Sequence, residues 1–278
     1  MTDDAATPRP GPTAPPERPG GESVGTIVDA HAHLWRRALT PQPWIDADSM
    51  AAIDRDVWVE DLLAMQRQTG IARTVLVQTA HSVDETHALM AAADAHPRSI
   101  GGVVGWVDLR GDVGHALRQL RAARGGDRLV GIRHLVHQDP DAHWMSDART
   151  GAGLDALAAA GLPFDLVLRP DQLADAAALV ARHPATRFVL DHLGKPPIAE
   201  AASGHPGALT RWRDDLASVA AAPHVTAKLS GILTEARWER WDVEDVRGVI
   251  DHAIAVFGAE RLMFGSDWPV VLLAAAPS

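Results

Sequence analysis

The chain alternates eight times between short apolar runs rich in β-branched residues and longer Ala/Leu-rich segments with helical period. Strands that alternate with helices pair in parallel through crossover helices, and eight such units close a (β/α)8 TIM barrel. An open, doubly wound sheet is the competing α/β architecture, but it typically has a Gly-rich turn after its first strand. The first run here ends in His-Leu-Trp, which favours the barrel. The predicted strands are 26–31, 72–78, 101–108, 129–134, 164–169, 187–192, 225–230 and 261–266, and the predicted helices are 58–69, 84–95, 113–124, 151–160, 171–183, 207–221 and 243–257.

Both ends of the chain depart from this pattern. Residues 1–24 contain six prolines and several glycines among small and charged residues, a composition that buries too little apolar surface to fold. We therefore predict a disordered Pro/Gly-rich tail over 1–24 and a single barrel domain over 25–278. After the eighth strand only "DWPVVLLAAAPS" follows, which is too short for a complete helix. The prediction is thus a distorted barrel with a shortened or missing last helix.

Composition excludes several classes of partner. The formal net charge is −10, whereas nucleic acids and anionic membranes attract basic surfaces. The chain has no cysteine, which removes disulfides, thiolate metal sites and Cys nucleophiles. No apolar run approaches the ~18 residues of a membrane span, and the first residues lack the apolar core of a secretory signal. We expect a cytoplasmic protein with neither nucleic acid nor membrane as partner, and a homo-oligomer is left open.

Every predicted strand has a polar or aromatic side chain at its carboxyl end, which is where barrel enzymes build their active sites. Polar groups in a dry barrel mouth are costly unless they pair with one another, water, a metal or a ligand. This arrangement therefore indicates a site. In strand order the residues are His31 and His33, Gln78, Trp106 and Asp108, Arg133 and His134, Arg169, His192, Lys228 and Ser230, and Asp267.

Strand geometry limits which of these side chains can meet. Alternate residues of a strand share a face, so Asp29, His31 and His33 are expected to point the same way. Arg133 and His134 are adjacent, so only one of them is expected to face the barrel interior unless a bulge intervenes.

Structural roles remain as alternatives for several positions. Asp267 precedes Trp-Pro and is also suited to capping a helix, and His192 is equally suited to hydrogen bonding a neighbouring loop. Arg169 precedes a proline that opens a helix, where a surface salt bridge competes with a role in the site. The histidines elsewhere are expected on the surface, with His137 as the candidate exception.

Together, eight segments resemble the amidohydrolase superfamily, and more narrowly its amidohydrolase-related branch of L-fuconolactonase-like lactonases. The resemblance covers about residue 26 to the last residue. It implies a distorted TIM barrel that hydrolyses a lactone, either a sugar aldonolactone or a ring-fission lactone, to the hydroxy acid. The segments that carry it are "DAHAHLW", "VLVQTA", "GVVGWVDL", "GIRHLVHQDPD", "GLPFDLVLRPDQL", "FVLDHLGKPP", "KLSGILTEA" and "RLMFGSDWPV".

The resemblance also implies a metal site. His31 and His33 on the first strand and Asp267 on the eighth match positions that commonly bind a divalent ion, and His192 matches a fourth. The fifth strand, "FDLVLRP", has neither a histidine nor a lysine at its end, which argues against two metals. One divalent ion, with Zn²⁺ favoured by these ligand types, and no metal at all are both compatible with the pattern.

Opening a lactone needs an activated water, stabilisation of the oxyanion and a proton for the departing ring oxygen. We predict that Asp267 activates the water and that His192 and Lys228 complete the catalytic set. A metal-dependent decarboxylase or amidohydrolase of the same superfamily, and a non-catalytic binding barrel, are the alternatives. The residues predicted to bind the substrate are Trp35, Gln78, Trp106, Arg133, His134, Arg169 and Trp268.

Overall fold

Eight parallel strands form one sheet whose spatial order follows the chain from β1 to β8. The architecture comes from a computed structural model that describes residues 26–205 and 207–274, so the tail predicted over 1–24 lies outside the described residues. The predicted α/β TIM barrel is confirmed. The strands are β1 (Val28–Ala32), β2 (Arg73–Val77), β3 (Ile100–Gly105), β4 (Leu129–His134), β5 (Phe164–Leu166), β6 (Phe188–Leu190), β7 (Val225–Leu229) and β8 (Leu262–Phe264).

The barrel closes where the end of β1 meets the segment that follows β8. The backbone N–H of Asp267 donates to the carbonyl of His31 at 2.8 Å, and the N–H of His33 donates to the carbonyl of Trp268 at 2.7 Å. These two backbone bonds bring the predicted metal ligands of the first and eighth strands together.

A buried carboxylate fastens the same seam. Asp29 accepts hydrogen bonds from the backbone N–H of Ser266 at 2.8 Å and from its hydroxyl at 2.6 Å. It also accepts from the N–H of His31 at 3.0 Å. Asp29 therefore serves the closure of the barrel, although strand alternation had grouped it with the two histidines.

The helices pack on the outside of the sheet through apolar faces. In α3 the buried residues Val113, Leu117 and Leu120 lie four and three positions apart, which is the spacing of one helical face. The side chain of Asp112 caps this helix by accepting from the N–H of His115. The helices are α1 (Val59–Thr69), α2 (Val83–Ala95), α3 (Val113–Ala122), α4 (Ala148–Ala159), α5 (Leu173–Arg182), α6 (Ile198–Ala202), α7 (Gly207–Ala220) and α8 (Val243–Phe257).

The region after β8 agrees with a shortened or missing last helix. Within the described residues, β8 is followed by the 3₁₀ helix Val270–Ala274. The outer surface of β8 is left partly open, and Phe264 is 50% exposed. A groove of about 620 Å³ runs between this strand and α1.

β5, β6 and β8 are each three residues shorter than predicted, because the chain leaves the sheet early to form loops at the barrel mouth. β6 ends at Leu190, two residues before the predicted boundary, since His192 adopts a left-handed conformation with φ of 54°. β5 ends at Leu166, three residues before Arg169. Over the ranges given above, no helix combines the length and apolarity needed to cross a membrane.

Candidate active site

A cavity of about 140 Å³ opens at the carboxyl ends of the strands. Four predicted site residues line it, namely His33, Arg133, His192 and Asp267. The other lining side chains come mainly from the loops after the strands, and they include Trp44, Thr79, His137, Gln138 and Lys195. The cavity thus forms at the end of the barrel where the sequence predicted a site.

The two histidines of β1 and Asp267 converge beside this cavity. His33 Nε2 lies 3.2 Å from His31 Nε2 and 3.2 Å from Asp267 Oδ1. Asp267 Oδ1 lies 3.7 Å from His31 Nε2. His33 Nδ1 lies 2.8 Å from the carbonyl oxygen of Val77. Because a carbonyl only accepts, Nδ1 of His33 donates to Val77, and Nε2 of the same ring points at the carboxylate of Asp267.

His192 reaches the same point from the far side through a left-handed turn. His192, Leu193, Gly194 and Lys195 all have φ between 51° and 67°, and such a conformation costs roughly 1–2 kcal/mol for each residue with a side chain. The indole N–H of Trp212 donates to the carbonyl of Leu193 at 2.9 Å and helps to hold the turn. The rings of His31 and His192 are consequently 4.5 Å apart.

A glycine provides the space between His192 and Asp267. Gly231 has φ of +59°, and a β-carbon there would lie 2.5 Å from His192 Nδ1 and 3.0 Å from Asp267 Oδ2. No other residue type fits this position without moving the two side chains, so the loop after β7 is part of the construction of the site.

Burial keeps the imidazoles of His31 and His192 neutral. Desolvation lowers the pKa of His31 well below its usual 6.5, and Lys228 and His192 add to the effect, although Asp191 opposes it. Desolvation also lowers the pKa of His192 to about 4. Burial alone would raise the pKa of Asp267, but the neighbouring imidazoles of His192, His33 and His31 hold it well below 3.8. Neutral imidazoles beside an ionised carboxylate are the forms that bind a metal ion.

The positions of these atoms fit a divalent cation. His33 Nε2 lies 3.2 Å from both Asp267 Oδ1 and His31 Nε2, so three atoms of metal-ligand type meet at one point. A tetrahedral zinc ion with bonds of 2.0–2.1 Å places its ligand atoms about 3.3 Å apart, close to the separations among His31, His33 and Asp267. His31, His192 and Asp267 also offer ligand atoms within 4.8 Å of one another.

Under the imidazoles lies a buried charge cluster, made of Arg133, Asp165, Asp191 and Lys228. Lys228 Nζ contacts Asp165 Oδ2 at 2.6 Å and Asp191 Oδ1 at 2.9 Å. Arg133 Nη1 contacts Asp191 Oδ2 at 3.0 Å. Burial works against the charged form of Lys228, but the two carboxylates raise its pKa. All four members of the cluster are buried.

The charge cluster orients His31. His31 Nδ1 lies 3.3 Å from Asp191 Oδ1 and 3.3 Å from Lys228 Nζ. A proton on Nδ1 that is donated to Asp191 leaves the Nε2 lone pair to face Asp267, as in the carboxylate–histidine pairs that support metal ligands. Arg133 Nη1 lies 3.3 Å from the same Nε2. Lys228, predicted as catalytic, therefore lies beneath the cavity and acts on His31.

The structure separates the adjacent residues Arg133 and His134, as strand alternation requires. Arg133 faces the barrel interior and lines the cavity. His134 faces outward, where Nε2 contacts Asp139 at 2.7 Å. Trp106 follows His134 outward and donates its indole N–H to His134 Nδ1 at 3.3 Å. Neither lines the cavity, although both were predicted to bind the substrate.

Four other predicted substrate-binding residues also lie outside the cavity lining. Gln78 is buried and donates its amide to the carbonyl of Arg133 at 3.1 Å, so it braces β4. Trp35 is buried behind the wall and donates to the carbonyl of Arg55. Trp268 faces the groove along α1. Arg169 is exposed and donates to the carbonyl of His137 at 2.7 Å, so it supports a residue that does line the cavity.

Sequence reasoning missed Asp165, Asp191, Trp44 and Lys195. Asp165 had a usable signal, because a single carboxylate inside the apolar run "FDLVL" needs a buried partner. Asp191 and His192 are neighbours that strand alternation would send to opposite faces, and only the left-handed turn brings both inward. Trp44 and Lys195 lie on loops, whose course no periodic pattern predicts.

A cavity at the carboxyl end of a parallel barrel, with two histidines and an aspartate converging beside it, defines the class of TIM-barrel enzymes that activate water. A family model described as amidohydrolase matches residues 28–278, and the chain belongs to this amidohydrolase family.

Individual relatives show which members of the family this chain resembles. An L-fucono-1,5-lactonase of Burkholderia multivorans is 39% identical over 254 residues, covering 90% of this chain and 84% of that protein. An L-fucono-1,5-lactonase of Burkholderia ambifaria is 34% identical over 247 residues, covering 89% and 81%. A crystal structure of an amidohydrolase from Burkholderia multivorans with bound zinc is 37% identical, with a TM-score of 0.80, and the match covers 91% of this chain and 87% of that one.

Proposed function

We propose that this protein hydrolyses a small lactone to its hydroxy acid by attack of water on the ring carbonyl. The observation that carries the proposal is the 3.2 Å approach of Asp267 Oδ1 to His33 Nε2 on the wall of the cavity. The cavity measures about 140 Å³, and one of roughly 150 Å³ accommodates benzene, so it suits a single six-membered ring. The substrate is a small molecule, and both lactonase relatives support the same reaction.

The side chains supply the steps of ester hydrolysis. A bond forms between the water oxygen and the carbonyl carbon, negative charge gathers on the carbonyl oxygen, and the bond from carbonyl carbon to ring oxygen then breaks. Asp267 accepts the proton of the water and returns it to the departing ring oxygen. Arg133 lines the cavity and donates N–H groups to the developing oxyanion. His192 orients the water while its Nδ1 is held 3.0 Å from Ser230 Oγ.

One zinc ion is part of the proposal. His31, His192 and Asp267 offer ligand atoms that would hold it, and His33 Nε2, 3.2 Å from both His31 Nε2 and Asp267 Oδ1, would be a further ligand. Such an ion supplies Lewis acidity, which polarises a carbonyl and eases the ionisation of water. The zinc-bound relative supports this assignment. A second ion is disfavoured because the Lys228 ammonium already contacts Asp165 on β5.

The preferred lactone is neutral and polyhydroxylated, such as a 1,5-lactone of a six-carbon aldonic acid. A carboxylated ring-fission lactone would need a free cation, and four cations in and around the cavity already have carboxylate partners among the described residues. Hydroxyl groups, by contrast, bind paired donors and acceptors without breaking an ion pair. The pairs are Arg133–Asp191, Lys228–Asp165, Arg169–Asp171 and Lys195–Glu235.

A lactone panel tests the proposal. Acid release is followed with a pH indicator for neutral aldono-1,5-lactones, for carboxylated muconolactones and for simple amides. We expect turnover of the aldonolactones at a kcat/KM at least tenfold above that of the others. No lactone turnover by the wild-type protein would contradict the reaction, whereas a preference for muconolactones would contradict only the substrate class.

A chelator arm tests the metal separately. Dialysis against a strong chelator should remove one equivalent of metal, measured by elemental analysis, and lower the rate, and added Zn²⁺ should restore it. Full activity of metal-free protein would contradict the zinc assignment and leave lactone hydrolysis standing.

A further inference from the structure

One aromatic side chain lines the cavity, and it is held by an unusual set of contacts. Trp44 lies on the loop between β1 and α1 and contributes to the cavity wall. Its ring packs edge-on against the buried ring of Trp35, with centroids 6.0 Å apart. Trp35 therefore supports the wall from behind, whereas the sequence predicted that it binds the substrate.

A hydrogen-bond chain fixes the orientation of Trp44. The indole N–H of Trp44 donates to Gln42 Oε1 at 2.7 Å, and Gln42 Nε2 donates to Thr79 Oγ1 at 2.7 Å. The Thr79 hydroxyl donates in turn to the carboxylate of Glu85. Glu85 also accepts from the backbone N–H groups of Thr79 and Ala80 at 3.0 Å each.

The direction of every bond in this chain is fixed by chemistry. An indole N–H only donates and an ionised carboxylate only accepts, so the chain has one possible polarity between them. That polarity sets the orientation of the Gln42 amide and leaves Thr79 Oγ1 with both a donor and an acceptor partner. Gln42 and Glu85 are buried, and Thr79 is buried apart from the part that lines the cavity, so most of the chain is shielded from water. The chain can therefore hold the indole in one position.

The rest of the cavity wall combines polar groups, which include Asp267, His33 and Lys195, with the aliphatic side chains of Leu135, Val167 and Val270. A ring derived from a sugar has hydroxyl groups at its edges and C–H groups on its faces. An aromatic ring packs against the C–H groups, and polar side chains form hydrogen bonds with the hydroxyl groups at the edges. Trp44 is the one Trp or Phe among the described residues that line the cavity, so it offers the broadest flat face there.

We infer that Trp44 stacks on the C–H face of the lactone ring and determines specificity for six-membered sugar lactones, and that Gln42, Thr79 and Glu85 position it. This inference rests on the proposed function and assigns the binding surface for the ring. The Glu85 carboxylate is a positioning residue, because it acts on the substrate only through Thr79, Gln42 and the indole.

Steady-state kinetics on an aldono-1,5-lactone provide the first test. Trp44→Leu keeps an apolar side chain and removes the aromatic face, so we expect KM to rise about tenfold with a smaller change in kcat. Trp44→Phe keeps a face and should stay within about threefold of wild type. Trp58→Leu is the matched control, since Trp58 lies on the same loop, stacks with Arg36 and does not line the cavity.

The positioning chain is tested with variants that leave the indole in place. Gln42→Met and Glu85→Gln should each raise KM about threefold and broaden the response of indole fluorescence to ligand. The probe is the sugar lactam in which N–H replaces the ring oxygen, so binding is read without turnover. We expect the lactam to quench a component of fluorescence in the wild type that is missing from Trp44→Phe. Thermal unfolding of each variant reports whether the fold is kept.

An unchanged KM in Trp44→Leu, or an equal rise in Trp58→Leu, would overturn the inference while leaving lactone hydrolysis intact. If Trp44→Leu does not fold, the quenching difference between the wild type and Trp44→Phe decides, and no difference would overturn the inference. Absence of lactone turnover by the wild type would overturn the proposed function together with the inference.

Discussion

Two regions support the site in different ways, the buried charge cluster beneath the imidazoles and the rim of loops around the cavity. The cluster joins side chains from β4, β5 and β7 and from the turn after β6, and its charges are paired before any substrate arrives. The rim carries Trp44 and His137, together with the partly exposed pair Lys195–Glu235. From this difference we infer that the cluster supports the reaction of any lactone, whereas the rim selects which lactone binds.

The largest expected difference between the regions is in stability. Asp191→Ala leaves Lys228 and Arg133 short of a buried counter-charge, and breaking such a pair costs about 3–5 kcal/mol. Glu235→Ala removes the partner of Lys195 at the partly exposed rim, where an ion pair contributes about 1 kcal/mol or less. Urea unfolding measures both free energies. Equal losses would show that the two regions do not differ in this respect.

The next-largest effect is on catalytic rate, and it separates the geometry of the active site from the stability of the fold. Gly231→Ala places a β-carbon against His192 and Asp267, and a displacement near 1 Å lowers rates about 100-fold. Gly161→Ala is the matched control, since Gly161 has φ of +71° with no atom within 4 Å of the added carbon. Both variants should lose roughly 1–2 kcal/mol of stability. If Gly161→Ala lowers kcat as strongly, the collision is not the cause.

A pH titration of unfolding free energy tests whether His137, at the rim, is held neutral in the folded protein. Burial, with Lys195 as the next cause, lowers the pKa of His137 to about 3, against 6.5 in the unfolded chain. Stability from the neutral form is therefore complete above pH 6.5 and is lost as pH falls from 6.5 towards 3, because the unfolded state binds the proton first. His137→Asn should have a shallower slope of unfolding free energy over this range, by at most one proton. Identical slopes in the two proteins would contradict the assignment.

The smallest effect is expected from Arg169, which braces the carbonyl of His137. Arg169→Ala should raise KM about twofold to threefold and change stability by less than about 1 kcal/mol, because the side chain is exposed. Arg182→Ala, which removes a comparable bond to the carbonyl of Met145, controls for general loosening. A KM increase above tenfold would indicate that Arg169 touches the substrate directly, as the sequence alone had suggested.

The sequence predicts the barrel and the converging ligands because both follow from the repeated alternation of strands and helices. Strand–helix alternation gives eight units, and closure of eight strands necessarily sets the first beside the last, so His31, His33 and Asp267 meet. The lactonase interpretation agrees with the relatives. The resemblance therefore led to the same reaction that the geometry supports.

The other features of the site depend on turns and loops, whose backbone conformation no repeating sequence pattern predicts. The left-handed turn from His192 to Lys195 turns both Asp191 and His192 inward, against the alternation expected of a strand. Lys228 was predicted to be catalytic, but its contact with Asp165 holds it beside His31 and outside the cavity lining. The choice of Trp44 over Trp35 as the wall depends on the path of the loop after β1, which tertiary contacts such as the Glu85 chain determine.

The central claim is that the Asp267 carboxylate, held against the imidazole of His33, activates the water. Asp267→Asn preserves the shape of the side chain and removes the base, and kcat/KM on the best lactone of the panel measures the effect. The account predicts a fall of about 100-fold to 10,000-fold in a protein with unchanged circular dichroism. A variant that retains more than about a tenth of wild-type kcat/KM would contradict it.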